Sequence, residues 1–568
     1  MSNAKTIGAT IAISVGVALV WGNAANGQVA LPPEVESATL AQDAFSTGLL
    51  TPAEGALPAS LWQGARADTL EYLLSQMPAR VSSPGLGNVL TRTLLSSGAG
   101  PDSAPASLGG AKLQVLANMG FSEDVRSLAS LSNTPSSDPQ ISKALAVADL
   151  LDGDIDRACQ RNAALSSSRN ETFWVKLRVL CYHKTEAFDA ADLTIDILQE
   201  RNVLSDSEVP LFFALTSNAA SGLEPVVTTP LHYAIATHLK LPINSSSVET
   251  AGAGVLKAMA NNAQLPPRAR LSALTQAASL GVHDAASVQA VFNSIAVDPD
   301  TLGNANSLLS EQPGDIYTDV VVNRTIQQMS APEFLRDKAS LIANSLAASE
   351  TFDRAHTLSI LYADEIMALE GALIGPSEAG QFGLSRLIIG DSAGAEKWLR
   401  AMLGGGSVAV MEERTATELI ELINLLALLD PARADAVAQT AGVAVTAPFV
   451  AATDDHVAGA DKNIAPIVDA AFSAVANDIQ GQAVLVALAV NQAAASGNEI
   501  AQIVSDQALK ASGFDQLRRR IALENALKRS RYLPAVSTVD PGLTETGLVD
   551  EVPSADRGFL PRIKPVRG

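Results

Sequence analysis

Residues 386–402 read RLIIGDSAGAEKWLRAM, and the five residues Gly390–Gly394 within them fit two different folds. The pattern G-x-S-x-G is typical of a nucleophile elbow, a sharp turn from a β-strand into a helix that presents a catalytic serine, here Ser392. The same residues suit a tight corner between two helices, because glycine can end the first helix and Asp391 or Ser392 can cap the second. The rest of the sequence must decide between these folds.

The composition of the 568-residue chain favours helices. Hydrophobic residues make up 47% of it, charged residues 17% and aromatic residues only 4%, as in folded proteins. Alanine and leucine dominate, and the β-branched and aromatic runs that mark strands are few. Stretches such as ETFWVKLRVLCYHK, residues 171–184, repeat apolar residues every three or four positions, as one face of a helix does. We therefore expect an all-α protein with more than about 60% helix, well above the average of globular proteins.

The enzyme interpretation of Ser392 lacks most of its parts. A nucleophile elbow in an α/β-hydrolase needs an oxyanion motif upstream, and an acid and a histidine that follow the serine in order. No H-G-G-G motif precedes Ser392, and the only histidine after it is His456. The alternation of strands and helices that a parallel sheet requires is missing too. We predict a helical corner, and keep as the alternative an envelope hydrolase that uses Ser392, or a lyase with an unidentified Glu in a groove.

A spacing of 33 residues indicates repeated helical hairpins. Gly153-Asp154 precede Ala158, and Glu186-Ala187 stand in the same relation to Ala191. In each unit a small or polar residue would close one helix, Asp154 would cap the next, and the alanine would let the two helices approach closely.

This spacing is close to the roughly 34-residue period of tetratricopeptide repeats. Over residues 138–200 and 380–402 the chain resembles that family, although the Trp, Tyr and final Pro positions of its motif are mostly unfilled. The resemblance implies an irregular, tetratricopeptide-like solenoid of helical hairpins. An irregular helical bundle is the alternative.

The N-terminal residues predict export. Residues 6–22 are uncharged and largely apolar, they follow Lys5, and small residues come next up to residue 27. This order is typical of a secretory signal peptide. The alternative is an inner-membrane anchor through residues 6–22, which are at the lower length limit for a spanning helix. Both interpretations place the rest of the chain outside the cytoplasm, in the periplasm or secreted.

The two cysteines of the chain, Cys159 and Cys181, predict one disulfide, because an exported chain with an even cysteine count usually pairs its thiols. Both cysteines are equally far from residue 170, inside the turn of a predicted helical hairpin. They would therefore stand at the same height on two adjacent helices. Two buried free thiols are the alternative.

The chain also resembles a group of exported proteins of Gram-negative bacteria. Their shared feature is a cysteine, then F/Y-W-x-K, then a second cysteine, here Cys159, the tetrapeptide Phe173–Lys176 and Cys181. The resemblance implies export and brings no activity with it.

Charge suggests what the protein binds. The net charge of −21 disfavours nucleic acid as a partner. One stretch, residues 517–532, is basic instead, and its cations are Arg518, Arg519, Arg520, Lys528, Arg529 and Arg531. They either face solvent and the acidic body of the protein on a last helix, or form a docking site for an anionic partner, such as lipid head groups, a cell-wall polymer or an acidic protein.

No metal or cofactor site is expected, because the histidines are scattered and the glycine-rich residues 252–258 lack the ending of a phosphate loop. We expect a non-catalytic scaffold or adaptor that binds an envelope protein or an anionic envelope component. The predicted segments are a signal peptide (1–27), an N-terminal helical segment (28–107), two helical repeat regions (108–300 and 301–532) and a disordered tail (533–568).

Overall fold

The all-α prediction is confirmed for the residues that the structure, a computed structural model, describes. These residues are 43–81, 83–101, 105–132, 138–217, 222–369, 374–446, 465–490 and 499–529. Helix makes up 69% of this part of the chain, which contains no strand. The predicted signal peptide, His456, Arg531 and the predicted tail lie outside the described residues.

The described part contains 28 α-helices. The first fourteen are α1 (Ala67–Ser75), α2 (Pro84–Leu95), α3 (Ala106–Asn118), α4 (Ser122–Leu131), α5 (Pro139–Leu151), α6 (Ile155–Ala164), α7 (Thr172–Lys184), α8 (Phe188–Glu200), α9 (Val209–Phe213), α10 (Pro230–His238), α11 (Ser247–Thr250), α12 (Ala253–Asn261), α13 (Pro267–Ser279) and α14 (Ala285–Ser294).

The other fourteen complete the described fold. They are α15 (Pro299–Leu302), α16 (Ala305–Glu311), α17 (Ile316–Gln328), α18 (Leu335–Ala347), α19 (Phe352–Leu361), α20 (Ala363–Ala368), α21 (Pro376–Ile389), α22 (Ser392–Leu403), α23 (Glu413–Leu429), α24 (Pro431–Ala441), α25 (Ala465–Asn477), α26 (Gln480–Ala489), α27 (Glu499–Ala511) and α28 (Asp515–Arg529). No helix in the described ranges is long and apolar enough to cross a membrane.

Local sequence explains where ten of these helices begin. Asp154 accepts a hydrogen bond from the Arg157 amide at 3.0 Å and so caps α6, as its position in the sequence predicts. Further N-cap side chains accept a backbone N–H in the same way, and they are Ser83, Asp138, Thr229, Asp284, Asp298, Asp315, Thr351, Asp391 and Asp430. These caps satisfy amides that a helix leaves unpaired at its start.

Most helices bury one face against neighbours, and two are buried almost all round. α5 is buried on nearly every side and packs against α3, α4, α6 and α10. α26 carries the apolar run Val484–Leu488, whose residues are all fully buried. Its length fits a core helix and falls well short of a membrane span.

The first and last helices of the described chain contact one another. α2 packs against both α26 and α28, and the Gly481 amide donates to the Leu61 carbonyl at 2.9 Å. In an open solenoid each repeat contacts only its neighbours in the sequence. The predicted solenoid is therefore not confirmed beyond the individual hairpins, and the described residues belong to one compact unit.

Candidate functional site

The GDSAG stretch is a corner between two helices, as predicted. α21 ends at Ile389, Gly390 adopts φ 81°, and Asp391 caps α22 by accepting from the Gly394 amide at 2.9 Å. The Ser392 hydroxyl donates to Asp430 Oδ2 at 3.2 Å. RLII belongs to a helix, whereas a nucleophile elbow needs a strand there. The geometry therefore gives a catalytic role of Ser392 no support.

The predicted disulfide is present. Cys159 on α6 and Cys181 on α7 are bonded to each other, with 5.6 Å between their Cα atoms. Both residues are half-buried. The bond fixes the α6–α7 hairpin at one turn from its open end, because Lys184 at the end of α7 follows Cys181 by three residues.

The lysine of the F-W-x-K motif fastens the same hairpin to the next elements. Lys176 Nζ lies 2.6 Å from Glu208 Oε1, and His232 Nε2 lies 3.0 Å from the same oxygen. Burial opposes ionisation of Glu208, but hydrogen bonds from Lys176, the Ser205 amide and His232 lower its pKa to about 2. This charged cluster positions α10 beside α7.

The basic residues of α28 do not form the exposed patch that a docking site requires. Arg518 and Arg520 are each only 9% exposed. Arg518 pairs with Asp506 and with Asp515, the latter at 2.8 Å. Of the two directions expected for these cations, solvent and the acidic body, both arginines face the body: Arg518 contacts Asp506 and Asp515, and Arg520 contacts Glu524 and the end of α21.

The remaining predicted cations of this stretch differ in position. Lys528 Nζ lies 5.0 Å from the centre of the Phe352 ring, and Arg519 is half-buried. The side chain of Arg529 and all of Arg531 lie outside the described residues. The described part of the stretch thus serves mainly to pack α28 against the body.

The main candidate site is a groove with a volume of about 720 Å³. It lies where α4 and α6 begin and where α5, α7, α10 and α12 end. Its polar lining includes the side chains of Lys184, Tyr233, His238, Lys257, Asn261, Asn262 and Gln264. We call this cavity the groove.

Helices α4, α5 and α6 form one wall of the groove, and ion pairs join these three helices to each other. Asp149 of α5 is fully buried, and its carboxylate lies 2.6 Å from Arg161 Nε on α6 and 3.2 Å from Arg126 Nη2 on α4. On the adjoining wall Lys184 pairs with Asp156 and so joins α7 to α6. Together with the disulfide, these pairs fix the helix ends that line the groove.

Two glycines allow the floor of the groove to form. Gly120 has φ +82°, and a Cβ atom there would lie 3.0 Å from Gly254 Cα and 3.1 Å from Lys257 Cδ. A Cβ atom on Gly254 would lie 2.6 Å from the Asn118 carbonyl oxygen. The turn between α3 and α4 therefore approaches α12 more closely than any residue with a Cβ atom would permit at these two positions. The aliphatic part of the Lys257 side chain lies against this turn.

Lys257 is the least compensated cation in the groove. Its Nζ lies 4.6 Å from the centre of the Phe121 ring, and no carboxylate among the described residues is within the 4.0 Å of an ion pair. Burial lowers the pKa of Lys257, and Asp124, Asp284 and Asp152 oppose this only from a distance. An anion in the groove would supply the missing counter-charge.

His238 stands beside Lys184 at the other side of the groove. The ring centres of His238 and His183 are 5.2 Å apart, and the His183 Nδ1 hydrogen bond to the Leu215 carbonyl makes that nitrogen the donor. Burial, followed by the nearby His183 and Lys184, lowers the pKa of His238. His238 is thus favoured in its neutral form until an anion binds beside it.

Hydrogen bonds make the edge of the groove rigid. The Tyr233 hydroxyl donates to the Ala258 carbonyl at 3.2 Å and accepts from Asn262 Nδ2 at 3.1 Å. Asn262 Oδ1 in turn accepts a hydrogen bond from the backbone N–H of Gln264 at 3.0 Å. The exposed side chains of Asn261 and Gln264 extend this edge toward solvent. The part of the edge that Tyr233 and Asn262 form is therefore fixed before any ligand binds.

Comparison with other proteins adds no assignment, because no protein family, curated protein or solved structure matches this chain. In the described ranges no three His, Cys, Asp or Glu side chains are grouped so as to hold a metal ion. Sequence reasoning missed the groove, because its residues come from six helix ends and form no motif. The only signal in the sequence is indirect: Gly120 and Gly254 mark a close approach.

Proposed function

We propose that this protein is a non-catalytic scaffold or adaptor that works outside the cytoplasm and binds an envelope protein or an anionic envelope component. The observation that carries the proposal is the groove of about 720 Å³. Its size suits one segment of a partner, and Tyr233 and Asn262 at its edge are already held in place.

The chemistry of the groove favours binding over catalysis. Catalysis by a serine needs a base beside its hydroxyl, whereas the Ser122 hydroxyl points to the Ala148 carbonyl at 3.4 Å. Tyr233 and Asn262 are engaged with each other and with the backbone. Polar groups that are held in this way orient a ligand and disfavour ligands that cannot pair with them.

Two features support a location outside the cytoplasm. The Cys159–Cys181 disulfide is compatible with an oxidising compartment, and residues 1–27 have the order of a signal peptide. In this proposal the hairpins around the groove act as tetratricopeptide-like units, which bind partners in the concave space between helices.

A substitution that fills the groove tests the proposal. Ala263 is exposed and lines the groove, so Ala263→Trp would block it without disturbing the core. Ala432→Trp, at an exposed position on α24 outside the groove, is the matched control. Tagged wild-type and control protein should capture the same component from envelope fractions, and Ala263→Trp should lose it. Equal capture by all three proteins would refute binding in the groove.

A further inference from the structure

We infer that the groove recognises a carboxylate group, with Lys257 as its counter-ion and the edge amides and His238 as further hydrogen-bond donors. This inference rests on the proposed function, because it names the chemistry of the segment that the groove would bind. Three observations carry it, and they concern charge, the type of cation and the apolar part of the lining.

One cation of the groove has no ion pair with a described residue. Lys184 is paired with Asp156, and Asp152 is paired with Arg126. Among the described residues, Lys257 has the Phe121 ring 4.6 Å from its Nζ and no carboxylate within ion-pair distance, while Asp124, Asp284 and Asp152 act on it only from further away. A half-buried ammonium gains most from a ligand that brings its own negative charge, because water around it is limited.

One cation without an ion pair to a described residue matches one negative charge. A phosphate group carries nearly two charges and is usually bound by several cations, often the forked guanidinium of arginine. The described lining of the groove contains no arginine. A carboxylate has a single charge and two oxygens, so Lys257 can neutralise it while the amides of Asn261 and Gln264 donate to the second oxygen.

The remaining lining indicates what the carboxylate is attached to. Leu151, Ile155 and Ala258 line the groove beside the polar edge, and Leu151 and Ile155 are 6% and 7% exposed. Little of their surface is open, and the half-buried Ala258 adds to it, so a small apolar or peptide-like body next to the carboxylate is enough to cover this part of the lining. This chemistry fits the end or an acidic side chain of a polypeptide, and also a small organic acid.

The test compares two carboxylate probes, each with its own neutral amide. Hexanoate and hexanamide represent the small acids, and acetylated trialanine with a free or an amidated C-terminus represents polypeptides. Binding of each probe to the full-length protein is measured by calorimetry. Lys257→Gln removes the cation, and Lys143→Gln is its matched control, because Lys143 is also half-buried with its Nζ 5.7 Å from a Phe ring centre, outside the groove.

The inference predicts that wild-type protein and Lys143→Gln bind a carboxylate probe at least about tenfold more tightly than its amide, and that Lys257→Gln loses this preference. If only hexanoate binds more tightly than its amide, the carboxylate that the groove recognises belongs to a small acid. If the peptide with a free C-terminus binds more tightly than the amidated peptide, the carboxylate belongs to a polypeptide. Equal binding of acid and amide, no binding of either acid at millimolar concentration, or full binding by Lys257→Gln would overturn the inference.

Ala263→Trp provides the second variant in case Lys257→Gln does not fold. It should abolish binding of the carboxylate probe while Lys257 is intact, and unchanged probe binding would place the probe outside the groove and overturn the inference. The two proposals fail separately. If Ala263→Trp loses the envelope component and folded Lys257→Gln keeps it, the carboxylate inference is wrong and the proposed function stands.

Discussion

Arg520 Nε lies 2.7 Å from Glu524 Oε1, and this buried ion pair joins two helix ends that are far apart in the sequence. Arg520 donates to the carbonyls of Leu387 and Ile388 at the end of α21. Glu524 accepts from the Gly85 amide, 3.1 Å away at the start of α2. Each charge thus stands at the helix end whose dipole it complements, so α28 connects the two ends of the described fold.

Neutralising Glu524 should destabilise this connection. Glu524 is 1% exposed, so Glu524→Gln leaves Arg520 buried without its partner, and we expect a loss of about 3 kcal/mol in the free energy of unfolding. Denaturant titration measures it. Asn525→Ala, at an exposed position on the same helix, should stay within about 0.5 kcal/mol of wild type. Equal stability of the two variants would show that α28 does not hold the ends together.

Gly390 should tolerate alanine less well than another glycine that ends a helix. Gly390 and Gly442 have φ values of 81° and 73°. A Cβ atom on Gly390 would lie 2.1 Å from Arg520 Nη1, whereas a Cβ atom on Gly442 meets nothing within 4 Å. We expect Gly442→Ala to cost about 1 kcal/mol from backbone strain alone. Gly390→Ala should cost roughly 1–3 kcal/mol more. Thermal unfolding of both variants measures the two losses of stability. Equal losses would argue against the contact between position 390 and Arg520.

The disulfide should be complete in protein isolated from cells without a reductant. Alkylation of unreduced, denatured protein should add no label to either cysteine by mass spectrometry, and reduction beforehand should expose both. The bond closes a loop of 22 residues, so replacing both cysteines with alanine should cost about 3 kcal/mol in the chain-entropy model. Two labelled thiols without reduction would contradict the bond.

Lys112 should make stability depend on pH. It is fully buried, its Nζ donates to the carbonyls of Phe45, at 2.8 Å, and Thr47, and burial lowers its pKa from 10.5 to about 7. Between pH 7 and 10.5 the unfolded chain therefore binds the proton more strongly than the folded chain does. Stability must rise with pH across this window as the buried amine loses its charge.

Lys112→Met should remove this rise. The free energy of unfolding of wild type minus that of the variant, measured between pH 6 and about 10, should therefore increase with pH above about 7. A difference that is constant or falls with pH would show that Lys112 stays charged in the folded protein.

Local features of this fold could be predicted from the sequence because their causes are local. Asp154 and Asp391 cap helices through amides three residues away, and the cysteines are placed by one short hairpin. The position of Arg520 could not be predicted. Glu524, which is its partner four residues away, is also bound to Ser83, 441 residues earlier in the chain. A basic stretch gives no sign of such a contact, because exposed and buried arginines look alike in a sequence.

The groove depends even more on distant contacts. Lys184 and Lys257 come from different hairpins, and each lysine alone fits an ordinary surface position. What sets Lys257 apart is the absence of an ion pair with any described residue. This depends on how distant helices pack around it, which cannot be read from the sequence alone.

Photo-crosslinking in cells that make the protein tests the central claim, partner binding in the groove, most directly. A photoreactive residue replaces Gln264, which is exposed at the edge of the groove. In a control protein it replaces Val410, which is 78% exposed and lies outside the groove. The account predicts a discrete crosslinked envelope component from position 264 and none of the same size from position 410. No product from position 264, or the same products from both positions, would contradict it.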